Sequence, residues 1–431
     1  MSQAVAGRRE RAAGLLSEWR RWLPWALGAV VLTYPFWFEV PPFSYVFVDA
    51  LGLALDVAIL MFVYVLLALG LNIVVGSAGL LDLGYVAFFA LGAYTIGWFA
   101  SDKFSGLSFH VLSTAPSAVP GIHINVWFVF LLAGVVAAIA GVIIGWPTLR
   151  LRGDYLAIVT LGFGEIIPDV FRNADSLAVP AGLQGSLPFI DFTRVNLTNG
   201  VQGIRPLDRP GFGEQLDTLS GGLLPERFGG LALRPWYFGI VVLVLVAIFV
   251  FRRIDRSKMG RAWVAVREDE IAASAMGVPL MRTKLWAYGI GAISGGVVGA
   301  YYGSFVGSVF PTGFSFAISV LVLCMVIVGG MGNMNGVILG ALVLEYLNVK
   351  GLEKIGNGIN DAIDLVGVDQ SIDVPKYKVT IFGVLLVTMM LFRPEGMIPS
   401  ARRKAELHEA EEEEGPETTN GDLYDVRQEG G

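Results

Sequence analysis

Arg252–Lys284, RRIDRSKMGRAWVAVREDEIAASAMGVPLMRTK, is a polar, basic segment set between two long apolar runs. Eight of its residues are Lys or Arg: Arg252, Arg253, Arg256, Lys258, Arg261, Arg267, Arg282 and Lys284. Inside it the sequence predicts a short helix with both ends marked. Glu268, Asp269 and Glu270 place negative charge at the N-terminus, where the helix dipole favours it. Ala272, Ala273 and Ala275 propagate a helix well. Gly277 suits the left-handed position after the last turn, and Pro279 prevents continuation. Residues 268–276 make a rod of roughly 13 Å, with Ile271, Ala272, Ala275 and Met276 as a small apolar stripe. A capped helix on a loop between membrane spans suits docking to a partner, and equally an ordinary surface loop.

Outward from this segment the chain is apolar: 54% hydrophobic residues, 16% charged and a mean hydropathy of +0.63. Hydropathy predicts ten spans, at about 22–39, 52–75, 84–100, 126–147, 155–171, 236–251, 285–307, 316–330, 336–349 and 377–392. The expected class is therefore an all-α polytopic membrane protein. Some of these spans are short enough to be re-entrant or strongly tilted. The N-terminal apolar run ends in FEVPP with no small-residue cleavage pattern, so a retained first span is expected. With the N-terminus inside, the basic stretch 1–21, the Asp82 turn, RLRGD at 150–154, the 252–284 loop, the GNMNG turn and the C-terminal tail all fall on the cytoplasmic side, as the positive-inside rule expects. Residues 22–392 then form the membrane domain. The 173–235 loop, Gly- and Pro-rich with five Arg and six acidic residues, is longer than an ordinary connection and reads as a structured external cap, with a mobile linker as the alternative. From Arg393 on there are eleven acidic residues against five basic ones, and this acidic, apolar-poor tail is expected to be disordered.

Span seven carries Gly291, Gly295, Gly299, Gly303 and Gly307, one every four residues, a seam along which another helix can approach closely. Two other runs look broken. LNIVVGSAGLLDLGYVAFFALGAY at 71–94 holds Asn72, Gly76, Gly79, Asp82 and Gly84. MVIVGGMGNMNGVILGALVL at 325–344 holds Gly329, Gly330, Gly332, Asn333, Asn335 and Gly336. Each joins two apolar halves through a Gly-rich polar turn, which points to an internal repeat and a substrate path; a pair of tight cytoplasmic hairpins is the plainer alternative. Ionisable residues within spans are few (Asp56, Glu165, Asp169 and Glu345), so a proton relay has little support. The lone Cys324 excludes an intrachain disulfide, and with three scattered histidines no metal-ligand cluster is expected. No GxxxxGK[ST] occurs, so the chain is not itself a P-loop ATPase. Nothing suggests a catalytic constellation or nucleic-acid binding.

With these residues in hand, the chain resembles the permease subunits of branched-chain amino-acid ABC importers, LivM type. Five blocks carry the resemblance in order: LNIVVGSAGLLDLGYVAFFALGAY, LRLRGDYLAIVTLGFGEII, GRAWVAVREDEIAASAMGVPLMRTKLWAYGIGAISGGVVGAYYGSF, VIVGGMGNMNGVILGALVL and LFRPEGMIP. It implies a type II importer-like fold with an inverted repeat, in a bacterial or archaeal cytoplasmic membrane. It also implies a second permease, two cytoplasmic ATPases that bind the ATP, and an extracytoplasmic binding protein. Glu268 to Gly277 then looks like the coupling helix, with Ala272, Ala273 and Gly277 matching the AAxxxG part of the importer motif and Arg267, Asp269 and Glu270 beside it. Asp82 and Tyr85 stand where many relatives carry Ser and His, and SLAVPAGLQGS replaces a GGPNG-like turn. A urea or short-amide permease is the alternative within the family, and a self-contained secondary transporter the alternative outside it.

Overall fold

The structure is a computed structural model that describes residues 28–113, 115–116, 118–151, 153–178, 194–211, 228, 232–365, 373–393 and 395–398. The basic stretch 1–21, the acidic tail beyond residue 398 and much of the 173–235 loop lie outside the described residues. Helices occupy the described part of every segment expected to span. They are α1 (28–37), α2 (Leu55–Asn72, prolonged by a π turn Ile73–Ser77), α3 (Val86–Phe99), α4 (Val126–Thr148) and α5 (Asp154–Asn173) in the first half. Then come α6 (Leu233–Asp255), α7 (Lys258–Glu268), α8 (Glu270–Ala275), α9 (Leu280–Val306), α10 (Phe316–Gly329), α11 (Met334–Tyr346), α12 (Leu352–Leu365) and α13 (Lys378–Phe392). Among the described residues, five stretches can cross a bilayer by length and composition: Leu55–Ser77, Val126–Thr148, Leu233–Asp255, Pro311–Gly329 and Val374–Phe392.

The long helix α9 is not among those five, and its position explains why. Its apolar character is diluted by glycine and tyrosine, residues that suit contact with protein more than with lipid. Ala287, Tyr288, Gly291, Ala292, Gly295, Val298, Gly299, Ala300 and Tyr301 are buried along it, and it packs on α4, α3 and α2. The seam is used asymmetrically. A Cβ on Gly291 would lie 2.5 Å from Val74, one on Gly295 2.9 Å from Phe88, one on Gly299 2.0 Å from the Phe89 carbonyl oxygen, and one on Gly303 3.1 Å from Ile96. Gly307 departs from that pattern: it meets nothing and instead ends α9 in the left-handed conformation, φ +73°. By contrast, α4, α6 and α13 turn Leu131, Ile139, Ile143, Leu245, Phe249, Val387 and Leu391 outward, the faces a bilayer would cover.

Two helices, α3 and α10, have 14 residues each, about 21 Å at 1.5 Å per residue, and neither crosses a bilayer core alone. Each follows a non-α-helical stretch, 78–85 and 307–315 respectively, and their N-termini meet: the Val86 amide donates to Ser319 Oγ at 3.0 Å. Within the expected Asp82 turn the side chains divide, Leu81 lying 38% exposed and Asp82 pointing inward. Asp82 is 1% exposed, its carboxylate turned towards the Gly84 amide and Tyr288 of α9. Backbone polar groups inside a bundle need partners, and here the Leu83 amide donates to Thr160 Oγ1 (3.1 Å) and the Gly84 amide to Asp82 Oδ1 (2.8 Å).

At the end opposite the 252–284 segment, short strands depart from the all-α expectation. β1 (Ala100–Ser101) pairs antiparallel with β3 (Gly121–Ile124), and β2 (Ser108–Val111) pairs parallel with β3. Residues 194–211 lie across this sheet. The Asp208 amide donates to the Ala100 carbonyl (2.8 Å), Ser304 Oγ to the Asp208 carbonyl (2.7 Å), and Trp98 Nε1 to the Leu197 carbonyl (2.9 Å).

Candidate coupling site and translocation segments

Ser257 starts α7, its Oγ accepting from the Met259 and Gly260 amides. One face of α7 is buried through Gly260, Trp263 and Val266. Trp263 is fully buried and its Nε1 donates to the Thr283 carbonyl at 2.9 Å, which fastens α7 to the base of α9. The helix expected over residues 268–276 is shorter than its sequence suggests. Arg267 and Glu268 belong to the last turn of α7, and Asp269 is extended (φ −151°, ψ 112°). The reason is local: Asp269 Oδ1 accepts from the Ile271 and Ala272 amides at 2.7 and 3.0 Å, and an N-cap side chain used this way excludes its own residue from the helix. The helix α8 is therefore Glu270–Ala275. It ends where the sequence places its end, with Gly277 at φ +84°. The Gly277 amide donates to the Ser274 carbonyl and the Val278 amide to the Ala273 carbonyl, both at 3.0 Å, the paired bonds of a Schellman motif.

The stripe on α8 divides. Ile271 is 72% exposed and Met276 85%, with Ala272 and Ala275 exposed beside them. Ala273 points the other way and is buried against the chain itself. Glu270 Oε1 is within hydrogen-bonding distance of Lys284 Nζ, whose side chain is buried at the base of α9.

Arg267 joins this helix to the two broken segments. Its Nη1 donates to the Gly76 carbonyl at 2.6 Å, and its aliphatic stem lies where a Cβ on Gly79 would be, 2.7 Å away. Asn72 Oδ1 accepts from the Gly332 amide at 2.9 Å. A Cβ on Gly76 would fall 2.6 Å from the Gly332 backbone nitrogen, so the two breaks meet backbone to backbone. Around them, Arg252 Nη2 donates to Asn335 Oδ1 (3.1 Å), Asn333 Oδ1 caps α11 through the Asn335 amide (3.1 Å), and Asn333 Nδ2 donates to the Ile398 carbonyl (3.0 Å). Gly329, Gly330 and Gly336 form a tight turn closed by residues 396–398, with the Met397 amide on the Val328 carbonyl at 2.8 Å. One end of the molecule thus gathers Arg267, Asn72, Gly76, Gly79, Gly332, Asn333 and Asn335. Asp82 and Gly84 stand apart from that group, deeper in the bundle, where Asp82 lies beside Tyr288 and Gly84 against the Thr160 carbonyl.

Sequence reasoning missed a cluster at the opposite end. His123 Nδ1 and Asp208 Oδ2 are 2.7 Å apart, and His110 stacks on His123 with ring centroids 4.9 Å apart. Burial raises the Asp208 carboxyl above its ordinary value, opposed by the hydrogen bond and charge of His123. The histidines looked scattered because only the parallel pairing of β2 with β3 sets His110 opposite His123. Among the described residues no group of three or more His, Cys, Asp or Glu could hold a metal ion.

A helical bundle with several bilayer-length apolar helices, two interrupted runs and an exposed capped helix on a basic loop defines a multi-pass membrane transport subunit. Residues 53–390 match the model of the branched-chain amino acid transport system / permease component family, and the chain belongs to that family. It is 35% identical over 364 residues, 82% of this chain and 72% of the relative, to the high-affinity branched-chain amino acid transport system permease protein LivM of Salmonella typhimurium. Its identity to the LivM protein of Escherichia coli is also 35%, over 82% of this chain and 71% of that one. It is 27% identical over 37% of its length, and 45% of the relative's, to the Escherichia coli permease protein LivH. No solved structure matches. The chain is accordingly a non-catalytic transport permease subunit.

Proposed function

We propose that this chain is the membrane subunit of an ATP-driven importer for a branched-chain or related amino acid. In this reading it spans a bacterial or archaeal cytoplasmic membrane ten times, with both termini cytoplasmic. It pairs with a second, homologous permease, docks two cytoplasmic ATPases that bind the ATP, and receives substrate from an extracytoplasmic binding protein. The chain itself needs no cofactor. The observation that carries the reading is α8: a capped helix that leaves Ile271 and Met276 in solvent while Glu270, Arg267 and Trp263 tie it to α9 and to both broken segments. An exposed apolar pair on a rigidly anchored helix is the kind of feature a protein partner covers. Movement of that helix would be felt at Gly76 and Gly332 through Arg267, and at α9 through Lys284.

Two further observations support the architecture. The runs α2–break–α3 and α9–break–α10 have the same plan, with N-termini meeting inside the bundle, as halves of an inverted repeat would. Helix α5 exposes Ile158 and Ile166 together with Glu165 and Asp169, and a face that carries carboxylates at membrane depth suits a protein partner or an aqueous route better than lipid. This favours α5 as part of the contact with the second permease.

The test is Ile271→Glu and Met276→Glu together. Each places a charge where docking would desolvate it, which costs several kcal/mol when unpaired. The expected result is normal membrane insertion, loss of co-purifying ATPase subunits and loss of uptake. ATPase subunits retained at wild-type stoichiometry would overturn the docking role of α8.

A further inference from the structure

The basic segment around α8 carries more charge than its own contacts use. Against its eight Lys and Arg residues it has four acids, Asp255, Glu268, Asp269 and Glu270. Asp269 is engaged by the amides of α8 and Glu270 by Lys284. Arg253, Arg256, Lys258 and Arg261, along the end of α6 and the start of α7, are exposed. The last described residue, Ile398, is on the same end of the molecule: its carbonyl accepts from Asn333, two residues from the Asn335 that Arg252 holds. The 33 residues that follow run from Pro399 to Gly431. From Glu406 on they hold ten acidic residues and a single Arg427. Seven residues lie between Ile398 and Glu406, so eight Cα steps reach up to about 27 Å extended, whereas α7 with 11 residues is about 16 Å long.

We infer that the acidic tail, residues 406–431, docks on the basic rim formed by Arg253, Arg256, Lys258 and Arg261 and competes there with the ATPase, acting as an electrostatic brake on coupling. This rests on the reading of α8 as the ATPase-docking helix. The charges are opposite, the tail is anchored beside its target, and the anionic lipid surface next to the rim repels a chain of this sign. An intramolecular partner also acts at a high effective concentration without needing high intrinsic affinity.

The experiment compares the reconstituted full-length complex with one whose permease ends at Ile398, which keeps the Met397 and Ile398 bonds to α10. A third form carries Glu411→Gln, Glu412→Gln, Glu413→Gln and Glu414→Gln at full length. Both altered forms are expected to hydrolyse ATP about five-fold faster than the full-length complex at low salt, the low end of allosteric couplings. That difference should vanish near 1 M salt, where charges are screened beyond about 3 Å. In a Cys324→Ala background, Glu412→Cys with Arg256→Cys should cross-link within the isolated chain. Equal rates at low salt, or a cross-link from position 412 to an ATPase subunit in place of position 256, would overturn the proposal. The two readings fail separately: if no form binds ATPase subunits the α8 reading falls, while the cross-link in the isolated chain still reports the tail contact.

Discussion

The stacked pair His110–His123 and its partner Asp208 show how one carboxylate can make a cap sensitive to pH. Burial raises the Asp208 carboxyl above its ordinary 3.8, and the neighbouring imidazoles only partly offset this. A group that binds its proton more tightly when folded contributes stability below its unfolded value and loses it as pH rises through the folded value. Asp208→Asn keeps an oxygen for the His123 Nδ1–H and carries no charge. Its thermal stability relative to wild type should therefore grow as pH rises above the ordinary carboxylate range, measured by unfolding scans of the detergent-solubilised protein. A difference that does not change with pH would show that the ionised Asp208 is not penalised. At the same scale Ala273 and Ile271, two residues apart on α8, have opposite roles. Ala273 is buried in its own chain and Ile271 faces out, so a charge at Ala273 reports on local folding and one at Ile271 on docking.

Helix α9 links the two ends of the molecule. Its base holds Lys284 against Glu270 of α8, and its far end holds Ser304 against the Asp208 backbone. Between these, Gly299 allows contact with α3 so close that even a methyl group would meet the Phe89 carbonyl at 2.0 Å. Overpacking of this kind costs about 1–3 kcal/mol. Gly299→Ala should lower the melting temperature and the yield of monodisperse protein. Gly383→Ala in α13, where nothing lies within 4 Å, should leave both unchanged. Equal behaviour of the two variants would mean that α3 and α9 are not in backbone contact. The half-length helices α3 and α10 belong to this scale too. Neither α-helix spans by itself, and at the start of α3 the Leu83 and Val86 amides are taken by Thr160 of α5 and Ser319 of α10.

For the whole molecule, the ends are chemically distinct: one carries the basic segment, α8 and the glycine turns, the other the small sheet and the 194–211 segment. Sidedness follows if the basic end is cytoplasmic. In a Cys324→Ala background, Arg253→Cys should react with a membrane-impermeant thiol reagent only in inside-out vesicles, and Asn196→Cys only in right-side-out ones. The reverse pattern would invert the proposed topology. The faces that α4, α6 and α13 turn outward are apolar, whereas α5 carries Glu165 and Asp169 outward.

Local chemistry, legible residue by residue, determined the helical character, the apolar segments, the capped α8 with its Gly277 terminus, and the glycine positions where helices approach. These features depend on hydropathy, capping and the missing Cβ, all properties of a few neighbouring residues. The family, too, was legible from five motif blocks in order. What required the tertiary structure were relations between residues far apart in the chain. Arg267 reaches Gly76 across 191 positions and Asn72 meets Gly332 across 260, and no periodicity records which carbonyl a guanidinium finds. Gly and Asp mark the turn at Asp82, but the burial of its side chain depends on α5, α9 and α10 packing beside it. The His110–His123 stack arises from strand pairing, and the direction of Ala273 from the docking of α8 on α7 and α9. Short-range forces act within a turn of helix and leave their mark in sequence; packing selects among long-range partners and leaves none.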